Sequence, residues 1–141
     1  MSEQAELLDR QPRVVEFKLA IRPKAWTAPL RSKSGGMFSP REYADWMRTA
    51  RALAHIQSRA IGVQFYRGPI RADFVFKIFS KSHHYSERHI QKSDRSNYLK
   101  AAEDAIKGII IADDCQIDDG NTKKVWTNSA TDEGIYVTLT L

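Results

Sequence analysis

Seven residues between positions 94 and 114 carry the groups best able to do chemistry: Asp94, Ser96, Asn97, Lys100, Asp104, Asp113 and Asp114. Carboxylate oxygens are what a hard divalent ion such as Mg²⁺ takes, one or two from protein with water and phosphate completing the shell. An ion so held polarises a phosphodiester, lowers the pKa of an attacking water and stabilises the leaving oxygen. Lys100, one turn into the helix that this stretch predicts, adds positive charge where a phosphoryl transition state gains negative charge. Asp94 just before that helix and Asp114 after the following apolar run are expected to meet at one sheet edge around Mg²⁺, or Mn²⁺ in its place. An ordinary reading stands beside this one. Asp94 and Ser96 are common helix caps, Asp113-Asp114 is common turn composition, and Lys100 and Asp104 have the spacing of a surface ion pair.

The positioning elements follow from periodicity. Tyr98, Ala101, Ala102, Ala105 and Ile106 predict a helix over 97–107 that Gly108 stops, with Asn97, Lys100 and Asp104 along one side. Ile109-Ile110-Ile111-Ala112 reads as a buried strand delivering Asp113-Asp114. Upstream, Val15, Phe17, Leu19 and Ile21 alternate as a half-buried strand. Ala72, Phe74, Phe76 and Ile78 mark a central strand after a Gly68-Pro69 turn. Ser39-Pro40-Arg41-Glu42 predicts a helix start with a Ser39–Glu42 capping box. Behind it, Tyr43, Trp46, Met47, Ala50, Leu53 and Ala54 form a core-facing stripe. Residues 123–127 and 134–141 read as closing strands. The expected architecture is α+β: a single domain over 13–141, with one mixed β-sheet and two main helices on one face, after a flexible leader at 1–12.

Charge narrows the partner. The 141-residue chain has a formal net charge of +5, and residues 10–59 hold 11 Lys/Arg against 3 Asp/Glu. Arg22, Lys24, Arg31 and Lys33 cluster around Trp26 in a proline- and glycine-bearing loop, a composition suited to a phosphate backbone. A mobile connection whose Trp26 covers a sheet edge is an equal reading of that loop. Cys115 is the lone cysteine, which excludes an intrachain disulfide and a cysteine-based zinc cage. His83, His84 and His89 read as solvated loop histidines, and His55 is given no role. With neither a membrane-length apolar run nor a signal-like core, the chain is expected in the cytoplasm.

One ordered pattern is more specific than any of these features. Asp94, Asn97, Lys100, Asp104-Ala105, Gly108, Asp113-Asp114 and Gln116-Ile117 stand at spacings that resemble the RusA family of Holliday junction resolvases. The resemblance implies a small homodimeric endonuclease, bacterial or phage-encoded, that uses Mg²⁺ to nick DNA four-way junctions symmetrically. Asp94 and Asp114 match its metal-binding catalytic acids, and Lys100 matches its catalytic lysine. Lys124 matches a basic position near the cleavage site. Ser96 departs from the family, which carries an acid there. Either Asp113 or Glu103 compensates, or two acids and more water hold the ion. The alternative is a non-enzymatic or catalytically weakened module that binds branched DNA.

Overall fold

Alternating burial makes the sheet. In β1 (Val14–Leu19), Val15, Phe17 and Leu19 are buried, and each stands opposite a buried residue of β7 (Gly134–Thr140): Leu139, Val137 and Ile135. The same face continues into β4 (Ile70–Phe79), where Ala72, Phe74 and Phe76 pair with those β7 residues in antiparallel register. The other edge of β4 is shared, end to end, by two parallel strands. β5 (Ile117–Asp119) pairs at Ile70, and β6 (Thr122–Thr127) runs from Phe74 to Phe79. The computed structural model describes residues 12–81 and 94–141. Residues 1–11 of the expected leader and the stretch with His83, His84 and His89 lie outside the described residues.

Two helices cover the apolar face, so the α+β architecture with one mixed sheet is the one the periodicity predicted. α1 (Arg41–Ile61) buries Tyr43, Ala50 and Ala54; α2 (Arg95–Ile106) buries Tyr98, Ala101, Ala102, Ala105 and Ile106. Tyr98 meets Phe76 of β4 with ring centroids 5.6 Å apart. Arg51 of α1 donates to the backbone carbonyls of Asp104 and Lys107, both at 2.8 Å. That guanidinium sits where α2 has orphan acceptors and the negative end of its dipole, so it ties the helices together at a favourable place.

Three local expectations are corrected. Ile109–Ala112 is no strand. Gly108 takes φ +77° and its N–H bonds Ile111 O, while Ile110 N–H bonds back to Ile106 O, folding the run into buried turns. The buried isoleucines satisfy the apolar signal equally well in either form, because an apolar run reports burial and not extension. The Ser39–Glu42 capping box does not form: Pro40 is itself the N-cap, and α1 starts without a side-chain cap. The basic loop holds a two-stranded hairpin of its own, β2 (Leu30–Arg31) with β3 (Met37–Phe38), separate from the main sheet.

The passage from β5 to β6 depends on Gly120. Its φ is +142°, and a Cβ there would lie 1.7 Å from the carbonyl oxygen of Ala72. Only glycine lets the chain pass Ala72 of β4 at that distance. Around the step, Arg71 grips Asp73 and Asp119, and Asp73 also accepts from Asn121 N–H at 2.8 Å. Desolvation works to raise the Asp73 pKa, but the Asn121 N–H and the Arg71 guanidinium outweigh it and hold the carboxyl below its usual value. Gly120→Ala is expected to destabilise the fold by roughly 2–4 kcal/mol, read as a lowered midpoint in urea, because backbone must move to admit the methyl.

Candidate active site

The first turn of α2 faces a cavity of about 500 Å³. Asp94 is the N-cap residue, with extended backbone (φ −69°, ψ 145°), yet its carboxylate makes no capping hydrogen bond. Asp94 and Asn97 of the helix line it together with Arg22, Lys24, Ala25 and Trp26 of the basic segment, giving it two walls. The two walls are joined by a backbone bond from Trp26 N–H to Asn97 O at 2.9 Å. A second bond, from Trp46 Nε1 of α1 to Arg22 O at 2.8 Å, anchors the start of the basic segment.

Lys100 turns toward this segment. Its ammonium lies 3.8 Å from the centroid of the Trp26 ring, a cation–π contact that fixes the long side chain beside the cavity. The alternative of a Lys100–Asp104 surface pair is not what the side chain adopts. Arg22 is drawn partly aside, pairing with Glu133 at 2.9 Å and donating to Phe79 O. Lys24 stands 3.7 Å from Glu42. The Lys24–Glu42 pair is solvent-facing and worth at most about 1 kcal/mol, so a phosphate can compete for Lys24, whereas Glu133 is largely buried and also accepts from Phe79 N–H.

The expected meeting of Asp94 with Asp114 does not occur within the chain. Asp114 follows the turns after Gly108 and stands 3.9 Å from Lys107, the C-cap of α2. Asp94 is the N-cap of the same 12-residue helix, so the two acids are separated by about 18 Å of helix at 1.5 Å per residue. Asp113 is committed locally. Its carboxylate accepts from Cys115 N–H and pairs with Lys107 at 3.5 Å, while its own N–H bonds Gln116 Oε1. Gln116 Nε2 then ties this turn to Tyr66 O and Gly68 O. Ser96 is turned to a different recess from Asp94, of about 420 Å³, with Arg95, Gly120 and Asn121. Lys124 is half-buried on the helix-covered face, opposite Phe76; Arg31 and Lys33 are exposed on the β2–β3 hairpin.

A second group of acids gathers at the far end of α2. Glu103 is half-buried, and burial, then Asp114 and Asp104, push its pKa up to about 7. A hydrogen bond between Asp113 and Asp114 holds Asp113 below the usual carboxylate range and, with burial, raises Asp114. Burial and then Asp104 push the Tyr43 hydroxyl up to about 12. Among the described residues no three carboxylate, imidazole or thiol groups converge as a metal cage. Of these residues, Trp26 and Arg51 were not on the expected site. Trp26 had a signal, an aromatic among cations; Arg51 had none, since its contacts lie more than 50 residues away.

The mixed sheet thus sets a basic segment beside a carboxylate-bearing helix end. The sequence model for Endodeoxyribonuclease RusA matches residues 21–140, and the chain belongs to that family. It is an endodeoxyribonuclease, a hydrolase of the DNA backbone, and its family resolves Holliday junctions in recombination and repair. A comparison with curated proteins gives no match. Membership selects the enzyme over the purely binding module.

The raised Glu103 pKa fixes a pH dependence. Folding takes up a proton at this carboxyl between about pH 4.5 and 7, so stability is fully present below that window and falls as pH rises through it. In chelator, Glu103→Gln is expected to raise the melting temperature at pH 8 and leave it unchanged at pH 4.5. Equal shifts at both pH values would show that the Glu103 charge is not under strain.

Proposed function

We propose that this protein is a metal-dependent Holliday junction resolvase that acts as a homodimer and nicks opposed strands symmetrically, in the cytoplasm of a bacterium or as a phage product. The observation that carries the reading is the cavity at the first turn of α2, where Asp94 and Asn97 face Arg22, Lys24 and Trp26, with Lys100 held beside them. Family membership supports a junction substrate. A two-fold protein would put one such site on each of two opposed strands.

The donor chemistry fits a hard divalent ion at Asp94, whose carboxylate is not spent on capping. It does not fit one ion shared by Asp94 and Asp114 of a single chain, which are a helix length apart. When bound, Mg²⁺ or Mn²⁺ would lower the pKa of an attacking water and polarise the scissile phosphate. The chain's own residues do the rest. Arg22, Lys24, Arg31 and Lys33 bind the backbone as counterions leave it. The α2 N-terminus favours a phosphate through its dipole. Lys100 stabilises charge on the phosphate oxygens as water adds and the P–O ester bond breaks. Lys124 reinforces the positive field, and Asn97 and Asp104 support the site through their backbone carbonyls, which accept from Trp26 N–H and from Arg51. Asp114, with Asp113, is proposed as the second acid of the motif, acting from the opposite end of α2.

The test is cleavage of an end-labelled synthetic four-way junction with Mg²⁺, with Mn²⁺ and with chelator. Paired nicks that need metal are expected. Asp94→Asn and Asp114→Asn should each lower the rate at least about 100-fold while junction binding persists. Full activity in Asp114→Asn would confine the chemistry to the N-terminal end of α2. Metal-independent nicking would overturn the mechanism. Trp26→Ala is expected to lower the rate about tenfold with little change in junction affinity, and Trp26→Phe to recover most of it, because a cation–π contact of about 0.5–2 kcal/mol holds Lys100. An unchanged rate in Trp26→Ala would remove that positioning role.

A further inference from the structure

The β2–β3 hairpin carries large apolar side chains that the fold leaves about half exposed. Leu30 is 50% exposed, Met37 62% and Phe38 49%. Leu30 stands opposite Phe38 on one face of the ribbon, and Arg31 opposite Met37 on the other. A two-stranded ribbon is only marginally stable alone, and this one forms its own sheet apart from the main one. Its turn is closed by several bonds. Ser32 N–H reaches Gly36 O at 2.7 Å, Gly35 N–H reaches Ser32 O at 3.0 Å, and Gly36 N–H reaches the Ser32 hydroxyl at 3.0 Å. Gly35 takes φ +91° to complete it. The turn is thus well made, while the apolar side chains it displays are only partly covered.

The surrounding charge identifies what could cover them. From Arg22 to Arg41 the chain has Arg22, Lys24, Arg31, Lys33 and Arg41 and not one acid. An apolar partner protein would have to meet that charge with acids of its own. DNA meets it with phosphates, and its unstacked bases offer the apolar faces. The hairpin also follows directly on the Arg22–Thr27 wall of the cavity at α2. The cavity lining and the ribbon are thus consecutive segments of the chain, with only residues 28 and 29 between them.

On the resolvase reading above, we infer that the β2–β3 hairpin is a base-engaging wedge that enters the branch point of the junction, with Phe38 on one face of the ribbon and Met37 on the other, each meeting a base that has lost a neighbour. Phe, Leu and Met are side chains that proteins insert between base steps, and an aromatic ring stacks on a base whatever the base's identity. A branch point favours this over a continuous duplex because part of the unstacking is already done. Arg31 and Lys33 hold the flanking phosphates, so the hairpin contributes selectivity for structure without reading sequence.

The experiment uses the full chain in chelator, so that no cleavage is needed, with 2-aminopurine placed at the branch point of a four-way junction. Binding of the parent protein should raise the fluorescence as the base unstacks. In Met37→Ser/Phe38→Ser the rise should be lost, and junction affinity should fall about tenfold while blunt-duplex affinity is unchanged. Phe38→Tyr, which keeps a stacking ring, should retain the rise. An undiminished rise in the double variant, or equal loss of affinity for junction and duplex, would overturn the wedge and leave the resolvase reading standing. Conversion of a dimer to a monomer by the double substitution, seen by sedimentation, would also overturn it by making the ribbon a contact between copies. Failure of the parent protein to bind the junction at all would sink both readings together.

Discussion

The apolar face of β4 has to be covered, and the way α2 covers it fixes the rest of the candidate site. Ala72, Phe74, Phe76 and Ile78 are almost wholly buried in one core with Tyr98, Ala102, Ala105 and Ile106 of the helix, and Tyr98 meets Phe76 directly. Burying each large side chain is worth about 1.5–3 kcal/mol, against at most about 1 kcal/mol for a solvent-facing ion pair. Packing therefore sets the rotation of α2, and the charges take the positions left to them. Asp94, Asn97 and Lys100 emerge toward the basic segment. Glu103 and Asp104 are held near Asp114 although their charges repel.

That hierarchy explains why electrostatic strain gathers at one end of the helix and not the other. At the first turn, Asp94 lines the same cavity as Arg22 and Lys24, and the helix dipole favours negative charge. At the last turn, the dipole disfavours acids, and Glu103 is partly desolvated among its like. Lys107 and Arg51 offset this, Lys107 through Asp113 and Asp114, Arg51 through the last carbonyls. The two ends of α2 are different chemical environments built on one rigid element. The basic segment adds a second constraint, since Trp26 N–H to Asn97 O and Trp46 Nε1 to Arg22 O hold a loop where a free loop would wander.

Much of this was legible in the residues themselves. Period-two burial in β1, β4 and β7 and the helical stripe of α2 reproduce the expected sheet and helix, because side-chain direction is a local property of the backbone. The ordered motif from Asp94 to Ile117 pointed to the family that residues 21–140 match. The short strand β5 and the turns at 109–112 were not legible. Three residues give too little periodicity to count, and three consecutive isoleucines read alike as strand or as buried turn.

What the sequence by itself determined is therefore the set of buried faces, the basic character of the first half and the residue types available for phosphodiester chemistry. Only the tertiary structure decided which of those residues share a site. It set Trp26 under Lys100 across 74 positions of chain, and it gave Arg51 to the end of α2. It also separated Asp94 from Asp114, because the reversal at Gly108 returns the chain at the helix C-terminus and not at its start. The physical reason is one of range. Periodicity records what each residue sees within a turn or a strand, whereas the meeting of distant groups depends on how whole elements pack, and that is settled by the burial of surfaces contributed from everywhere along the chain.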